Sequence, residues 1–383
     1  SECFVCLNCI EDCPHDALSF RFLPRKASEV AYPEVGRRTL MLSGLFALAL
    51  AEISSAYPTA GGLYHWGSIL GNRFTGWLSA WLNLLGLITV LGAINVGTFY
   101  FFLGAFGPLI GLEDTLTHRV AFVGLITAIQ ALVNHMGINL TTKLTDLSGY
   151  LILFTAVLLT AVCLYYAPTW DFSRLFTFAN YTGQAGPVVD GVATPGASGV
   201  WPVRVETWLA FMLGLLLPVY TITGYDASAH TAEETRNAAV AVPKGMVSSV
   251  IWSGLFGYLM LCAFVLMIPN MDEAANQGWD VFFWAMNAQV PEVVKEILYV
   301  LIFLAQFLCG LATVTSVSRM IFAFSRDGGI PGLSGPLAKV SPTFRSPVNA
   351  IWFGSILSVL FVWFTSSITI AGTPAYSIVV SCT

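Results

Sequence analysis

Two groups of residues in this chain are placed to do chemistry. Cys3, Cys6, Cys9 and Cys13, with Pro14 directly after the last, gather four thiols in one short stretch. Thiolates this close together wrap an iron-sulfur cube, and the proline turns the chain away after the last ligand. A structural zinc site is the competing use of the same donors. The second group is Thr223, Gly224, Tyr225 and Asp226, where an apolar run long enough to cross a bilayer breaks and then resumes as the small, polar stretch Ala227 to Thr235. A helix that stops and restarts frees backbone amides and carbonyls at membrane depth, which is tolerated only where protein or a watery cavity satisfies them. Sites for small solutes are built on such exposed backbone.

The elements that must hold these residues follow from composition. With 56% hydrophobic and 10% charged residues and a mean hydropathy of +0.73, the chain has more apolar surface than a globular core of its size hides. This is the profile of an all-α polytopic membrane protein whose solvent is the lipid bilayer. The net charge of -5 is small and scattered, so no basic face for nucleic acid is present. Cys163, Cys262, Cys309 and Cys382 lie singly in apolar stretches. They read as small buried hydrophobes, not as a disulfide framework.

Windows of about 20 mostly apolar residues give eight expected spans: Thr39 to Tyr57, Gly76 to Phe106, Arg119 to Gly137, Leu147 to Ala167, Thr207 to Tyr225, Gly245 to Pro269, Glu296 to Phe324 and Val348 to Ser366. A ninth apolar run starts near Ile368 and reads as the beginning of a further helix. Loops after the odd-numbered spans carry Arg73, Lys143, Arg236, Lys244, Arg326, Lys339 and Arg345, whereas the intervening loops carry Arg174, Arg204 and Lys295. By the positive-inside rule the first set faces the cytoplasm. The Gly- and Pro-rich segment Pro168 to Val205 is then external. The same count puts the cysteine motif and Arg21, Arg25, Lys26, Arg37 and Arg38 outside, against that rule and against the reducing conditions thiolates prefer. Either an odd number of spans is missing before Thr39 or two unrelated pieces have been joined. The joined reading is the expectation taken here, with the seam between about Arg37 and Leu48.

Over Glu2 to Phe22 the cysteine run resembles the bacterial ferredoxin-type 4Fe-4S family. In two-cluster members the fourth cysteine ligates the other cluster, and no second motif stands in this sequence. From about Gly44 onward the chain resembles the amino acid permeases of the amino acid, polyamine and organocation superfamily, particularly the amino acid, GABA and choline branch. Four segments carry the likeness: Ala51 to Trp66, Gly224 to Asn237, Ser318 to Pro331 and Ser346 to Asn349. The resemblance implies an inverted five-plus-five helix transporter fold, here with helices two to nine and a partial ten, incomplete at both ends. Residues 1-38 then form a ferredoxin-like segment and 39-383 the permease domain.

The resemblance further implies a multi-pass transporter in the cell membrane. It would carry an amino acid or a GABA-like amine by alternating access, coupled to H+ or Na+, with no covalent chemistry. The backbone from Thr223 to Asp226 would contact the substrate's amino or carboxylate group, with Gln306 a further candidate. Because the family's first helix has no counterpart before Thr39, this polypeptide is not expected to transport alone. The alternative is a membrane-anchored 4Fe-4S electron-transfer subunit.

Smaller features carry expectations of their own. Asn83, Asn95, Gln130, Asn134 and His135 inside spans read mostly as helix-to-helix glue, because lipid offers no hydrogen bonds. Thr231 with Glu234 fits a capping box. Tyr64 and Trp66 suit an interfacial aromatic belt. His230 reads as a solvated histidine on the cytoplasmic side, and the Arg326-Asp327-Gly328-Gly329 turn as a structural loop.

Overall fold

Hydrophobic stretches this long leave the backbone only one way to satisfy its polar groups in lipid, and the chain takes it: nearly every described element is helical. The computed structural model describes residues 42-177, 188-189, 192-193, 221-277, 280-370 and 373-375. The cysteine motif at Cys3, Cys6, Cys9 and Cys13, most of the segment between 178 and 205, the span from 207 to 220 and Cys382 lie outside them.

The described elements begin with α1 (Leu42–Ala56), a short α2 (Leu63–Leu70), α3 (Arg73–Ile110), α4 (Leu116–His135) and α5 (Ile138–Tyr165). After a 3-10 turn at Phe172–Leu175 and a two-residue strand pair, Val188–Val189 with Val192–Ala193, the chain reaches α6 (Ala227–His230) and a second 3-10 turn at Ala232–Glu234. There follow α7 (Ala238–Met267), α8 (Met271–Ala275), α9 (Val281–Gln289), α10 (Glu292–Arg326), α11 (Ser334–Leu337) and α12 (Val348–Ser367). Six helices, α3, α4, α5, α7, α10 and α12, are long and apolar enough to cross a membrane. They coincide with six of the eight expected spans, running on by several residues where polar turns continue the helix past its apolar part. The described α1 has 15 residues, a rise of about 22 Å at 1.5 Å per residue.

Helix ends follow local chemistry. Asn72 caps α3 by accepting from the Thr75 amide while Thr75 Oγ1 accepts from the Asn72 amide, so two orphan donors are satisfied reciprocally. Gly111 ends the same helix in the left-handed conformation, the usual role of glycine at that position. The ninth apolar run opens in a strand pair, Thr369–Ile370 antiparallel with Thr373–Pro374, and the Ala375 amide returns to the Ile368 carbonyl; from residue 376 on, the expected further helix lies outside the described residues. β-branched residues, a glycine and a proline in succession outweigh the hydropathy of the run.

At the centre stands α10, packed against α3, α4, α5 and α12. Leu84 and Leu91 of α3, Val314, Val317, Ile321 and Phe324 of α10, and Ile351 of α12 form its main apolar contact. Polar side chains cross the same seam. Asn95 Nδ2 donates to Thr127 Oγ1 and Gln130 Oε1, Gln130 Nε2 donates to Asn95 Oδ1 and the Phe307 carbonyl, and Asn134 Nδ2 donates to the Leu311 carbonyl. Thr315 Oγ1 donates to Asn134 Oδ1, and Trp352 Nε1 donates to His135 Nδ1. The helix-glue reading of Asn95, Gln130, Asn134 and His135 therefore matches the contacts. Close approach at this seam depends on Gly310, where an added Cβ would collide with Gln130 Nε2 and lie 2.8 Å from Asn95 Oδ1. A second core holds α1, α2 and α7 together through Ala51, Trp66, Ala229, Val242 and Met246.

Candidate functional site

Helical backbone gives way at the junction the residue types mark. Ile222 to Asp226 run through turns, and Gly224 has a φ of 80°, a conformation that a residue with a Cβ avoids. A Cβ on Gly224 would meet nothing within 4 Å, so backbone angle and not space calls for glycine. Helical structure resumes for a single turn, Ala227–His230, opened by Ala227 N–H to Gly224 carbonyl and Ala229 N–H to Asp226 carbonyl bonds. A 3-10 turn follows, then Asn237 with a φ of 52°, and only at Ala238 does a membrane-length helix begin. Thr223 and Gly224 are exposed and Tyr225 and Asp226 half-buried.

Four of the five expected substrate residues, Thr223, Gly224, Tyr225 and Asp226, are thus contiguous on this break. Gln306 lies elsewhere, midway along α10, with its Oε1 buried and without a hydrogen-bond partner among the described residues. Asn83 Nδ2 is buried in the same condition.

Beneath the break, at the end of the bundle that charge counting assigns to the cytoplasm, three segments are tied by ions. Arg319 and Arg326 of α10 are seven residues apart and so share a helix face. The 3-10 turn presents adjacent acids to them, Glu234 to Arg319 at 3.2 Å and Glu233 to Arg326 at 3.3 Å. The Arg319 side chain is only 4% exposed. It also donates to Ser318 Oγ. Just past α10, Asp327 Oδ2 accepts from Tyr64 Oη at 2.9 Å and meets His65 Nε2 at 3.2 Å, both on α2. Burial alone pushes the Asp327 carboxyl upward, yet the His65 and Tyr64 hydrogen bonds and the charges of His65 and Arg326 hold it below the usual carboxylate range. Burial, then the charge and hydrogen bond of Asp327, push the Tyr64 phenol up.

Several expectations change here. The capping box does not form: Thr231 Oγ1 donates to the Ser228 carbonyl, and Glu234 is drawn to Arg319 instead, since a buried guanidinium is the stronger partner. Tyr64 and Trp66 are not an interfacial belt, because Trp66 is buried with Nε1 donating to the Tyr57 carbonyl and Tyr64 binds Asp327. The Arg326-Asp327 turn keeps its structural reading, its side chains bound by two other segments. His230 is 1% exposed, not solvated, because the loop at Ala60 to Gly62 folds over it. Arg319 was not singled out by the sequence, although a charge deep in an apolar span is costly enough to mark a partnered site. Among the described residues no three His, Cys, Asp or Glu side chains converge as metal ligands.

Comparison with known proteins brings the chain alongside carriers. Residues 39–383 match the family model described as amino acid permease. An Arabidopsis thaliana protein named amino-acid permease BAT1 is 31% identical over 335 residues, covering 81% of this chain and 60% of its own length. A Schizosaccharomyces pombe protein named thiamine transporter thi9 is 27% identical over 379 residues, covering 88% of this chain and 62% of its own. An uncharacterised amino-acid permease of the same yeast is 27% identical over 339 residues, covering 86% and 56%. The chain spans about 60% of the length of the curated relatives it matches.

Proposed function

The chain belongs to the amino acid permease family, and on that premise we propose that it carries an amino acid or a related amine, GABA-like in size and charge, across the cell membrane by alternating access. The observation that carries this reading is the break at Gly224, where the exposed residues Thr223 and Gly224 stand beside the half-buried Asp226. Amides near a helix start suit a carboxylate, and an acid such as Asp226 suits an ammonium. A zwitterion needs both. No step in such a cycle makes or breaks a covalent bond.

The inverted five-plus-five repeat belongs to the same proposal, with α3, α4, α5, α7, α10 and α12 among its spans. Alternating access then requires the ion-paired end to open. Glu233 and Glu234 would leave Arg326 and Arg319, and Asp327 would leave α2, when the break releases its cargo. The Glu233–Arg326 pair, solvated on both sides, suits a contact made and broken in every cycle, since such a pair is worth little alone. Gln306 is proposed as an inward-facing polar contact for the substrate, on the ground that its buried Oε1 has no protein partner among the described residues.

Binding to the purified protein in lipid nanodiscs tests the reading. A panel of GABA, choline, neutral and basic amino acids and thiamine would be titrated against wild type, Gly224→Ala and Asp226→Asn. At least one compound should bind saturably, with affinity reduced ten-fold or more in both variants. Absence of saturable binding across the panel, or unchanged affinity in both variants, would reject the site.

The four thiols Cys3, Cys6, Cys9 and Cys13 are proposed as ligands of a 4Fe-4S cluster, a donor set that suits the cube in number and spacing. When bound, such a cluster supplies one-electron chemistry. Anaerobic iron and sulfide reconstitution should give a broad visible absorbance and an EPR signal on reduction, both lost on substituting the four cysteines with serine.

A further inference from the structure

His230 ends the single helical turn that follows the break, four residues after Asp226, and its side chain is sealed from solvent. Nδ1 sits 3.3 Å from the Ala60 carbonyl. A carbonyl can only accept, so Nδ1 bears a hydrogen, and in a neutral ring Nε2 is then a bare lone pair. Nε2 lies 3.8 Å from Asp226 Oδ2 and has no hydrogen-bond partner among the described residues. Lone pair therefore faces carboxylate across a buried gap. One proton on Nε2 turns that opposition into an N–H aimed at an anion, and both ring nitrogens are then satisfied.

We propose that His230 and Asp226 form the binding site of the coupling ion, and that this ion is a proton. The proposal rests on the transport reading above and goes further by naming the ion and its seat. A hard cation such as Na+ prefers oxygen ligands, and an imidazole nitrogen is a poor one. Two donors also fall short of a transition metal's usual set, and among the described residues no third converges on them. The Asp226 side chain is 24% exposed, which gives a proton a path from the watery side of the break to a ring that has none of its own.

Other ionisable groups on the surrounding elements are matched or turned away. Arg319 and Arg326 of α10 hold Glu234 and Glu233, and His65 and Tyr64 of α2 hold Asp327. Glu52 of α1 and Lys244 of α7 are exposed, and Tyr225 is half-buried beside Asp226. Among the described residues Asp226 is the acid within 4 Å of the ring.

The location couples the proton to both moving parts. On one side the ring faces the acid at the break; on the other it holds the loop in which Gly62, with a φ of 48°, packs so that an added Cβ would lie 3.6 Å from His230 Cε1. That loop leads directly into α2, which carries Tyr64 and His65 to Asp327. Charging the ring draws Asp226 toward it, and discharging releases Asp226 toward the substrate.

Two measurements test this on the full chain. In proteoliposomes containing a pH-sensitive dye, an inward proton gradient should drive accumulation of labelled GABA, or of whichever panel amine binds best, with dye-reported proton entry. His230→Gln should lower gradient-driven accumulation at least ten-fold and abolish the dye-reported proton entry that accompanies it in wild type. Undiminished proton-driven accumulation in His230→Gln, or accumulation driven by Na+ and not by protons, would overturn the proposal. Absence of binding and exchange for every amine would instead overturn the transport reading on which it rests. Solid-state NMR of 15N-histidine-labelled wild type decides the site itself, whether or not transport is seen. The His230 signal should show hydrogen on Nδ1 in the neutral ring and a second proton on Nε2 after acidification; a neutral ring with hydrogen on Nε2 would sink the assignment.

Discussion

The seam joining α3, α4 and α10 and the break at Gly224 are both polar regions inside an apolar bundle, and they treat their polar groups in opposite ways. At the seam Asn95, Gln130, Asn134 and Thr315 find one another or a backbone carbonyl. At the break the helix is interrupted and exposed at Thr223 and Gly224, and among the described residues His230 Nε2 has no hydrogen-bond partner. A closed network fixes helices against one another, and an open one waits for something else to complete it. In lipid this difference separates structure from function, since an unsatisfied polar group there is costly enough not to be idle.

Substitutions on the two sides should therefore separate stability from ligand response. The largest loss is expected from Gly310→Val, which drives a branched side chain into Gln130 and Asn95. Thermal unfolding in detergent should show a loss of about 3 kcal/mol, the upper end for overpacking. A variant as stable as wild type would mean that the seam is loosely packed.

Glu234→Gln comes next. It leaves the Arg319 guanidinium buried with a neutral partner. Removing one member of a fully buried pair costs about 3 to 5 kcal/mol, and the partial exposure of Glu234 lowers the expectation to about 2. Because the pair also closes one end of the bundle, protease or thiol-probe access at that end should rise with the loss of stability.

Gln130→Leu sharpens the contrast further. It removes the partner of Asn95 and the bond to the Phe307 carbonyl, and membrane hydrogen bonds average about 0.6 kcal/mol with a maximum near 1.7. A destabilisation of about 1 kcal/mol with ligand affinity unchanged is expected. A large change in affinity would place the seam inside the functional site.

The smallest effect is the pH response of the α2 contact. The folded carboxyl of Asp327 titrates below its unfolded value, so its stabilisation is complete above about pH 4 and fades as the pH falls through the depressed folded value. With the side chain about a third exposed, the gain is within the 0 to 1 kcal/mol of surface pairs. Asp327→Asn should abolish this acid-side loss, as followed by the melting temperature between pH 6 and pH 3.

Much of this was legible in residues and their order. Hydropathy located the spans because about 20 apolar residues in lipid have no alternative to a helix. Gly224 beside Asp226 announced a break, because neither residue is at ease inside a membrane helix. Hydropathy did not show the strand pair at Thr369 to Pro374, because it cannot distinguish a helix start from a β-branched turn. It was also silent on α2, a short helix of mixed residues whose Trp66 and Tyr64 turn inward. The pairing of Glu234 with Arg319 across 85 residues left no local trace, and the capping signal at Thr231 was locally correct but outcompeted.

What the order of residues determined by itself is the existence of a membrane bundle and the place, at Gly224, where helical backbone gives way to turns. Those are consequences of how each short stretch meets lipid or water, and short stretches carry that information in full. The tertiary structure alone decided which polar groups are satisfied. It closed Asn95 on Gln130, sank Arg319 against Glu234, and folded the Ala60 loop over His230 while leaving Nε2 bare. Satisfaction is a property of pairs brought together from distant parts of the chain, so only the folded arrangement could supply it.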